Sequence, residues 1–428
     1  MELLTKIKEH KARVGIAGLG YVGLPLAMEF VRAGFDVVGI DPDARKLEAI
    51  RKGKSYIQDV SDKVLKRAVG RRKFEVTNDY SAVQDLDTVS ICVPTPLRKT
   101  KDPDISYVLE ATNKISEHLH RDMLVVLEST TYPGTTDEIL LPAFRDYVVG
   151  QEIFVAFSPE RVDPGNPKYK TRNTPKIIGG STPRCTEVAC ALYSQAVDEV
   201  IPVSSTACAE MVKLLENTFR AVNIGLVNEL AIMCDKLNVP VWEVIEAAAT
   251  KPFGFMPFFP GPGLGGHCIP IDPLYLSWKL KSLNYTARFI ELASEVNTHM
   301  PDYVVTKISK ALNHVQKCLN GSSVLIVGVA YKKDVEDVRE SPALDIMRLL
   351  EQEGARVSYS DPYVPFVRMD GKKFKSIALD RRALKSADIT VIVTNHSSFD
   401  YKMIFKNASL IMDTRNALKI SDPKVYKL

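Results

Sequence analysis

The segments RVGIAGLGYVG, at residues 13–23, and FDVVGIDP, at residues 35–42, enclose a stretch with helical spacing of its apolar residues. The first segment is an apolar run of strand length that leads directly into glycines, and the second is a similar run that ends in Asp41. Strand, glycine turn, helix, strand and acid in this order predict a Rossmann-type βαβ unit. We therefore expect an α/β fold built on a doubly wound parallel sheet.

The glycine turn predicts a dinucleotide site, with a purely structural turn as the alternative. Glycines let backbone N–H groups and the helix N-terminus approach a pyrophosphate. The candidate residues of this turn are Gly18, Gly20, Tyr21, Val22 and Gly23. Asp41 would accept hydrogen bonds from a ribose diol and repel the extra phosphate of NADP, which favours NAD. Lys46 follows closely and weakens that preference.

The rest of the chain divides into three regions. Strands are predicted at residues 13–17, 36–40, 88–93, 123–128 and 153–157, and a single long helix at 205–237. A third region repeats the first, because SVLIVGVAYKKD (323–334) and EGARVSYSDP (353–362) again place a glycine turn and an Asp after strands. We expect two Rossmann-like parallel-sheet domains, at 1–199 and 313–428, joined by a central helical domain at 200–312.

The turn of the repeat has changed its chemistry. Gly328 remains, but Lys332 and Lys333 stand where further glycines would be expected. Losing glycine hinders close backbone approach to a pyrophosphate, and gaining lysine supplies charge from side chains. This half should bind an anionic nucleotide other than NAD.

Composition excludes several classes of protein. The 428 residues carry a net charge of only +4, which is too even a balance for a nucleic-acid binder. No apolar run approaches the ~20 residues of a membrane helix, and the N-terminus lacks a secretion signal. The seven cysteines are scattered and lack metal-site spacing. We expect a reduced, cytoplasmic protein with no bound metal.

The densest unusual stretch is GPGLGGHCIPIDP at residues 261–273. A lone cysteine is more often inert than reactive, but Cys268 lies in a glycine loop just before a helix, whose dipole favours the thiolate. Asp272 could cap that helix and still hold a water near the thiol. His267 has no second ligand at metal spacing, so we interpret it as a positioning residue.

Further polar groups gather on a helix and at strand ends. Lys213 and Asn217 are four residues apart on the long helix and so share one face. Taken alone, this pair would indicate only a solvent-exposed face of the helix. CVPTP at 92–96, which contains Pro94 and Thr95, closes one predicted strand, and ESTTYPG at 128–134, which contains Thr131, begins where the next predicted strand ends. Open α/β sheets bind ligands at this carboxyl edge, although a proline-rich turn is an equal alternative for the first segment.

Together these motifs resemble the UDP-glucose/UDP-mannosamine dehydrogenase family. The resemblance covers nearly the whole chain, in family order: the glycine turn, SPER at 158–161, KLLEN at 213–217, GGHC at 265–268, YKKD at 331–334 and RES at 339–341. It implies a four-electron, NAD-dependent oxidation of a sugar C6 alcohol to an acid, in polysaccharide biosynthesis. Independently, the long helix is apolar over more of its circumference than one intrachain face requires, so we expect a homodimer with this helix as the interface.

The resemblance also implies residue roles. Cys268 would form a thiohemiacetal and then a thioester. Lys213, Asn217 and Asp272 would hold a catalytic water, Lys213 and Asn217 would stabilise the oxyanions, and Glu160 with Thr131 would direct hydrolysis. Cofactor contacts are expected from Lys46, Pro94, Thr95, Thr131 and Arg339. Substrate contacts are expected from Glu160, Arg161, Val162, Lys213, Asn217, Arg220, Phe258, Gly261, Gly265, Lys332 and Arg415. Pro164 replaces an acidic family residue, so no cofactor contact is carried onto it.

His267 before the cysteine resembles the branch acting on UDP-N-acetylhexosamines, which favours UDP-N-acetylglucosamine, with UDP-N-acetylmannosamine and UDP-glucose as alternatives. A two-electron hydroxyacid dehydrogenase would need neither a thiol nucleophile nor a second nucleotide domain. A nucleotide-sugar sensor would be expected to lack Cys268 or Lys213, and both are present.

Overall fold

The structure is a computed structural model that describes residues 2–96, 102–163, 166, 168–266 and 268–428. Contacts within the chain divide it into two compact units. The first unit comprises Met1–Glu216 and Leu274–Tyr285, and the second comprises Asn217–Pro273 and Thr286–Leu428.

The first unit is built on an eight-stranded sheet. Its strands are β1 (Arg13–Ala17), β2 (Asp36–Ile40), β3 (Phe74–Thr77), β4 (Thr88–Ile91), β5 (Met123–Leu127), β6 (Ile153–Phe157), β7 (Lys176–Gly180) and β8 (Val200–Val203). They lie in the order β3-β2-β1-β4-β5-β6-β7-β8, and all neighbours pair in parallel except β6 and β7. Because the chain order reverses between β1 and β4, the crevice at their carboxyl ends is where such sheets bind ligands.

Helices cover both faces of this sheet. They are α1 (Leu3–Lys8), α2 (Gly23–Ala33), α3 (Ala44–Arg51), α4 (Asp62–Gly70), α5 (Ser106–Ser116), α6 (Leu141–Ala143) and α7 (Pro183–Tyr193), with a 3₁₀ turn at Tyr80–Asp85 and a π turn at Thr136–Leu140. Strands β4, β5 and β6 are buried along their whole length. This accounts for their continuous apolar sequence, which is typical of a parallel sheet covered on both sides.

Four helices follow in the middle of the chain: α8 (Thr206–Leu237), α9 (Val241–Ala248), α10 (Asp272–Lys281) and α11 (Arg288–His314). The side chain of Ser205 accepts a hydrogen bond of 3.1 Å from the N–H of Cys208, which caps α8 at its first turn. α8 has 32 residues and carries a stripe of exposed apolar side chains. The stripe consists of Leu215, Phe219, Leu226, Met233 and Leu237.

The second unit contains a five-stranded sheet that repeats the first in miniature. Its elements are β9 (Ser323–Val327), α12 (Pro342–Gln352), β10 (Arg356–Ser360), β11 (Phe366–Met369), β12 (Lys372–Lys375), α13 (Arg381–Ser386), β13 (Ile389–Ile392), α14 (Tyr401–Asn407), β14 (Ile411–Asp413) and β15 (Val425–Lys427). The parallel order β10-β9-β13-β14-β15 matches β2-β1-β4-β5-β6 of the first sheet, while β11 and β12 form a separate antiparallel hairpin.

The predicted fold class is confirmed. Strands β1, β2 and β6 have the predicted bounds, whereas β4 and β5 end two residues and one residue earlier than predicted. The sequence pattern missed β3, β7 and β8, because these short strands contain charged or exposed residues that interrupt the apolar signal. No helix in the described part of the chain is long and apolar enough to cross a membrane.

Candidate active site

The glycine turn after β1 has the geometry that a pyrophosphate requires. Gly18 has φ +96°, and a Cβ there would lie 2.6 Å from the carbonyl oxygen of Cys92; a Cβ on Gly23 would lie 1.9 Å from the carbonyl oxygen of Gly18. A Cβ on Gly20, by contrast, would meet no heavy atom within 4 Å. Two glycines are therefore needed for close packing, and the third leaves open space at the helix N-terminus for a ligand. Tyr21 and Val22 lie between these glycines, and Tyr21 is exposed.

Asp41 directly follows β2 beside this turn and is buried. Its Oδ2 accepts hydrogen bonds from the N–H of Leu19 (2.8 Å) and from the ammonium of Lys46 (2.9 Å), and its Oδ1 accepts one from the N–H of Asp43 (2.9 Å). The carboxylate is thus fixed next to the glycine turn, and Lys46 lies against it. Both residues fit the adenosine end of a dinucleotide.

The carboxyl edge of the sheet also carries the loops after β4 and β5. Thr95 is buried, and its carbonyl accepts a hydrogen bond of 2.9 Å from the hydroxyl of Tyr275, while Pro94 is exposed. Thr131 is 1% exposed, and its hydroxyl has no hydrogen-bond partner in the described part of the chain. Ser158, just beyond β6, is equally buried, and its hydroxyl likewise meets no partner among the described residues. Buried hydroxyls without partners are costly, so both are suited to receive a ligand or a water.

Glu160 follows β6 at the same edge, and its two oxygens have different environments. Oε1 accepts hydrogen bonds of 2.8 Å from the N–H groups of Arg161 and Val162, and Oε2 lies 3.3 Å from the ammonium of Lys176. Burial alone would raise the pKa of Glu160, but the charges of Lys176 and Lys213 and the two backbone donors lower it overall. Glu160 is therefore a carboxylate at neutral pH, and Lys213 on α8 is close enough to contribute to its electrostatic environment.

Arg161 is held away from Glu160 by other partners. Its guanidinium donates to the carbonyl of Pro175 (2.7 Å) and to Glu216 (2.6 Å). Its Nε is buried without a partner in the described part of the chain. This nitrogen is a further group available to a ligand.

In the second unit, Asn217 and Asp272 are directly bonded. Asn217 Nδ2 donates to Asp272 Oδ2 at 2.5 Å, and both residues are buried. Asp272 begins α10, and its N–H donates to the carbonyl of Cys268 at 2.8 Å. Cys268 is not in a disulfide, and its side chain is half-buried. The sequence thus places a thiol one helical turn before a buried, hydrogen-bonded carboxylate.

The glycines of this loop pack against the C-terminal sheet. A Cβ on Gly261 would lie 2.5 Å from a guanidinium nitrogen of Arg415, and one on Gly265 would lie 2.8 Å from the Cβ of Tyr331. Arg415 Nε donates to the carbonyl of Val393 at 3.0 Å, and burial lowers its pKa to about 10 although Asp413 acts to raise it. The loop therefore lies next to one of the cations predicted to contact the substrate.

The remaining predicted residues lie in the second unit. Lys332 is half-buried, Arg339 pairs with Asp337 at 2.6 Å, and Arg220 is exposed on α8. Phe258 packs edge-to-face on Phe219, with ring centroids 5.7 Å apart. His267 and Pro164 lie outside the described residues. The described residues contain no cluster that could hold a metal ion.

The repeated glycine turn, after β9, is held by an aspartate that follows β10. Gly328 has φ +82°, and Asp361 Oδ2 accepts hydrogen bonds from the N–H groups of Val329 (2.7 Å) and Ala330 (3.1 Å). It also lies 3.0 Å from His396 Nε2. Asp361 thus holds this turn much as Asp41 holds the glycine turn of the first unit, where its carboxylate accepts a hydrogen bond from the N–H of Leu19.

Sequence reasoning missed three buried polar residues that support Glu160: Glu128, Lys176 and Tyr193. Lys176 Nζ lies 2.5 Å from Glu128 Oε2, and Tyr193 donates to the other oxygen of Glu128. A lysine within the run KIIGG was the available signal, because a charged residue in a strand that is otherwise buried requires a partner.

Comparisons with known proteins agree with this geometry. Three domains of the UDP-glucose/GDP-mannose dehydrogenase family match the chain: the NAD binding domain at residues 12–197, the central domain at 207–299 and the UDP binding domain at 325–420. The chain is 36% identical to UDP-N-acetyl-D-mannosamine dehydrogenase of Methanocaldococcus jannaschii, over 97% of this chain and 95% of the relative. It is 35% identical to UDP-N-acetyl-D-glucosamine 6-dehydrogenase of Pseudomonas aeruginosa, over 82% and 83%.

A solved structure is similar throughout. The UDP-D-ManNAc dehydrogenase of Pyrococcus horikoshii superimposes with a TM-score of 0.88 at 34% identity, covering 97% of this chain and 98% of that one.

Proposed function

We propose that this chain, which belongs to the UDP-glucose/GDP-mannose dehydrogenase family of NAD-dependent UDP-sugar dehydrogenases, oxidises the C6 alcohol of a UDP-N-acetylhexosamine to the uronic acid through a Cys268 thioester. The observation that carries the proposal is the 2.5 Å bond between Asn217 and Asp272, one helical turn from Cys268. It supplies an amide donor, a carboxylate and a thiol on one short stretch of structure.

In the first oxidation, the alcohol proton is transferred to a water held by Lys213, Asn217 and Asp272, and the C6 hydride leaves. NAD, once bound, accepts one hydride in each of the two oxidations. The buried Asp272 carboxylate suits this role because its hydrogen bond to Asn217 fixes its orientation.

In the second oxidation, the Cys268 thiolate adds to the aldehyde carbon, and the carbonyl oxygen becomes the oxyanion of a thiohemiacetal. Lys213 and Asn217 stabilise this oxyanion. Loss of the second hydride restores the carbonyl and leaves a thioester. The covalent bond prevents the aldehyde from escaping between the two steps.

In the last step, water attacks the thioester carbon, Glu160 takes the water proton, and the Cys268 thiolate leaves. The unpartnered Thr131 hydroxyl supports a role in placing this water. The ionised state of Glu160 at neutral pH supports its role as the base.

Binding of the UDP-sugar is assigned to groups on several loops. Lys332 and Arg415 would contact the diphosphate. Six further residues would contact the rest of the UDP-sugar. These are Arg161, Val162, Arg220, Phe258, Gly261 and Gly265. The buried, unpartnered Arg161 Nε supports this assignment.

Among the sugars, we propose UDP-N-acetylglucosamine, with the manno epimer and UDP-glucose as the alternatives. Burying the methyl of an acetamido group would be worth about 1 kcal/mol, or roughly fivefold in preference. Relatives named for both hexosamine epimers are similarly identical to this chain, so the epimer must be measured.

The test follows absorbance of reduced NAD with UDP-N-acetylglucosamine, UDP-N-acetylmannosamine and UDP-glucose under one condition, and compares kcat/KM. Two reduced NAD per acid are expected, with no free aldehyde. A ratio of one would overturn the covalent mechanism; a preference for UDP-glucose would overturn only the substrate assignment.

The enzyme is further proposed to be a homodimer through α8. Phe219, Leu226, Met233 and Leu237 recur at spacings of seven, seven and four residues, and Leu226 and Leu237 are 58% and 72% exposed. A continuous exposed apolar stripe of this kind is typical of a shared interface.

A further inference from the structure

Lys176 is a buried cation between two carboxylates. Its side chain is 3% exposed, and its ammonium lies 2.5 Å from Glu128 Oε2 and 3.3 Å from Glu160 Oε2. Because β7 runs antiparallel to β6, the first residue of β7 lies at the edge where the parallel strands end. This reversal brings Lys176 beside the ends of β5 and β6.

Both carboxylate oxygens of Glu128 are occupied by contacts within the protein. It is 1% exposed, and its second oxygen accepts a hydrogen bond from the hydroxyl of Tyr193, which lies 3.0 Å from Ser90 Oγ. Burial raises the pKa of Glu128 against the effect of Lys176. With both oxygens bonded and no exposure, Glu128 is not placed to accept a proton from a water.

Glu160 depends on Lys176 for one of its two oxygens. Oε1 is held by two backbone N–H groups, whereas Oε2 receives only the 3.3 Å contact from Lys176 among the described residues. The longer contact leaves Oε2 able to accept a further proton, while the shorter contact to Glu128 anchors the ammonium.

Other titratable groups of the described residues also act on this trio. Lys213 on α8 also lowers the pKa of Glu160 through its charge, and Cys92 lies near Lys176. Burial raises the pKa of the Cys92 thiol well above its usual range, so Cys92 contributes no charge at neutral pH. Of the two lysines, Lys176 has the larger effect on the pKa of Glu160.

We propose that Lys176 is a positioning residue for the hydrolytic step: anchored by Glu128 and Tyr193, its ammonium fixes Glu160 so that Oε2 faces the water that attacks the thioester. The inference rests on the proposed function, because it assigns Glu160 as the base. It adds a role for three residues that take no direct part in the two oxidations.

The test is the Lys176→Met substitution, which keeps most of the side-chain volume and removes the charge. The oxidations should proceed, so that mixing enzyme, NAD and substrate gives a burst of two reduced NAD per subunit. Hydrolysis at pH 7 should then fall by about tenfold or more, and the acyl-enzyme should be detectable by intact-protein mass spectrometry.

The pH profile distinguishes positioning from a general loss of structure. Removing the ammonium raises the pKa of Glu160, and since the base acts when deprotonated, the acid limb of hydrolysis should move to higher pH. Lys176→Arg should restore the limb. Lys73→Met, which removes exposed contacts with Asp36 and with the carbonyl of Gly34, should leave profile and burst unchanged. If Lys176→Met alone fails to fold, the double variant Lys176→Met with Glu128→Gln replaces it in the test. The second substitution removes the buried Glu128 charge that would otherwise have lost its cationic partner.

Two outcomes separate the inference from the function on which it rests. If Glu160→Gln accumulates acyl-enzyme while the foldable Lys176 variant keeps the wild-type acid limb, the role of Lys176 is wrong and the base assignment holds. If Glu160→Gln hydrolyses normally, the base assignment fails and the role of Lys176 fails with it.

Discussion

The side-chain amide of Asn217 donates a 2.5 Å hydrogen bond to the carboxylate of Asp272, although the two residues are 55 positions apart. One residue lies within the longest helix and the other begins a different helix. The bond fixes the carboxylate relative to Cys268, which lies one turn earlier.

Breaking this bond should harm both stability and the first oxidation. Asn217→Ala removes a donor from a buried carboxylate, and we expect a loss of about 1–3 kcal/mol in the free energy of unfolding. We also expect kcat for the alcohol oxidation to fall by on the order of a hundredfold. Thermal unfolding and single-turnover kinetics measure the two effects. Asn223→Ala, on an exposed part of the same helix, is the control. An equal loss of stability and of kcat in that variant would mean that the Asn217–Asp272 bond has no special role.

Replacing the nucleophile should separate binding from chemistry. Cys268→Ser should bind NAD and UDP-sugar nearly as the wild type does, while acid formation falls by several orders of magnitude, because an alkoxide is a poorer leaving group than a thiolate. Calorimetric titration and product analysis are the measurements. Cys208→Ser, at an exposed cysteine, should remain active. Near-normal acid formation by Cys268→Ser would mean that another residue is the nucleophile.

Two glycines of the cofactor turn should respond in opposite ways. An added methyl at Gly20 meets no protein atom within 4 Å, so Gly20→Ala should keep the melting temperature of the wild type. The same methyl would occupy the space left for the pyrophosphate, so the variant should bind NAD roughly tenfold or more weakly. At Gly23 the methyl meets a backbone carbonyl at 1.9 Å, so Gly23→Ala should destabilise the fold by about 1–3 kcal/mol or more. Wild-type NAD affinity in Gly20→Ala would place the cofactor elsewhere.

A charge on the apolar stripe of α8 should dissociate the proposed dimer. Leu226→Asp would bury a carboxylate in the interface, at a cost of several kcal/mol. Sedimentation velocity at micromolar concentration should show dimer for the wild type and monomer for this variant. Leu109→Asp, at an exposed leucine of α5, should stay dimeric. A monomeric wild type contradicts the proposal directly.

The sequence by itself determined the features that depend on neighbouring residues. The glycine turn, strands β1, β2 and β6 and the long helix follow from apolar periodicity and glycine spacing, which act over a few residues. The shared face of Lys213 and Asn217 follows from helical geometry alone. The resemblance to the dehydrogenase family then linked these local motifs to the oxidation of a UDP-sugar.

The tertiary structure decided which distant groups meet. The reversal of β7 places Lys176 at the carboxyl edge, where it joins Glu128 and Glu160, and no local pattern specifies a strand's direction. Likewise, only the packing of α8 with the glycine loop brings Asn217 to Asp272. The ionisation of buried groups depends on such long-range partners, because burial disfavours a charge unless an opposite charge or a donor is close. The chemistry of the site is therefore set by contacts that the order of residues does not display.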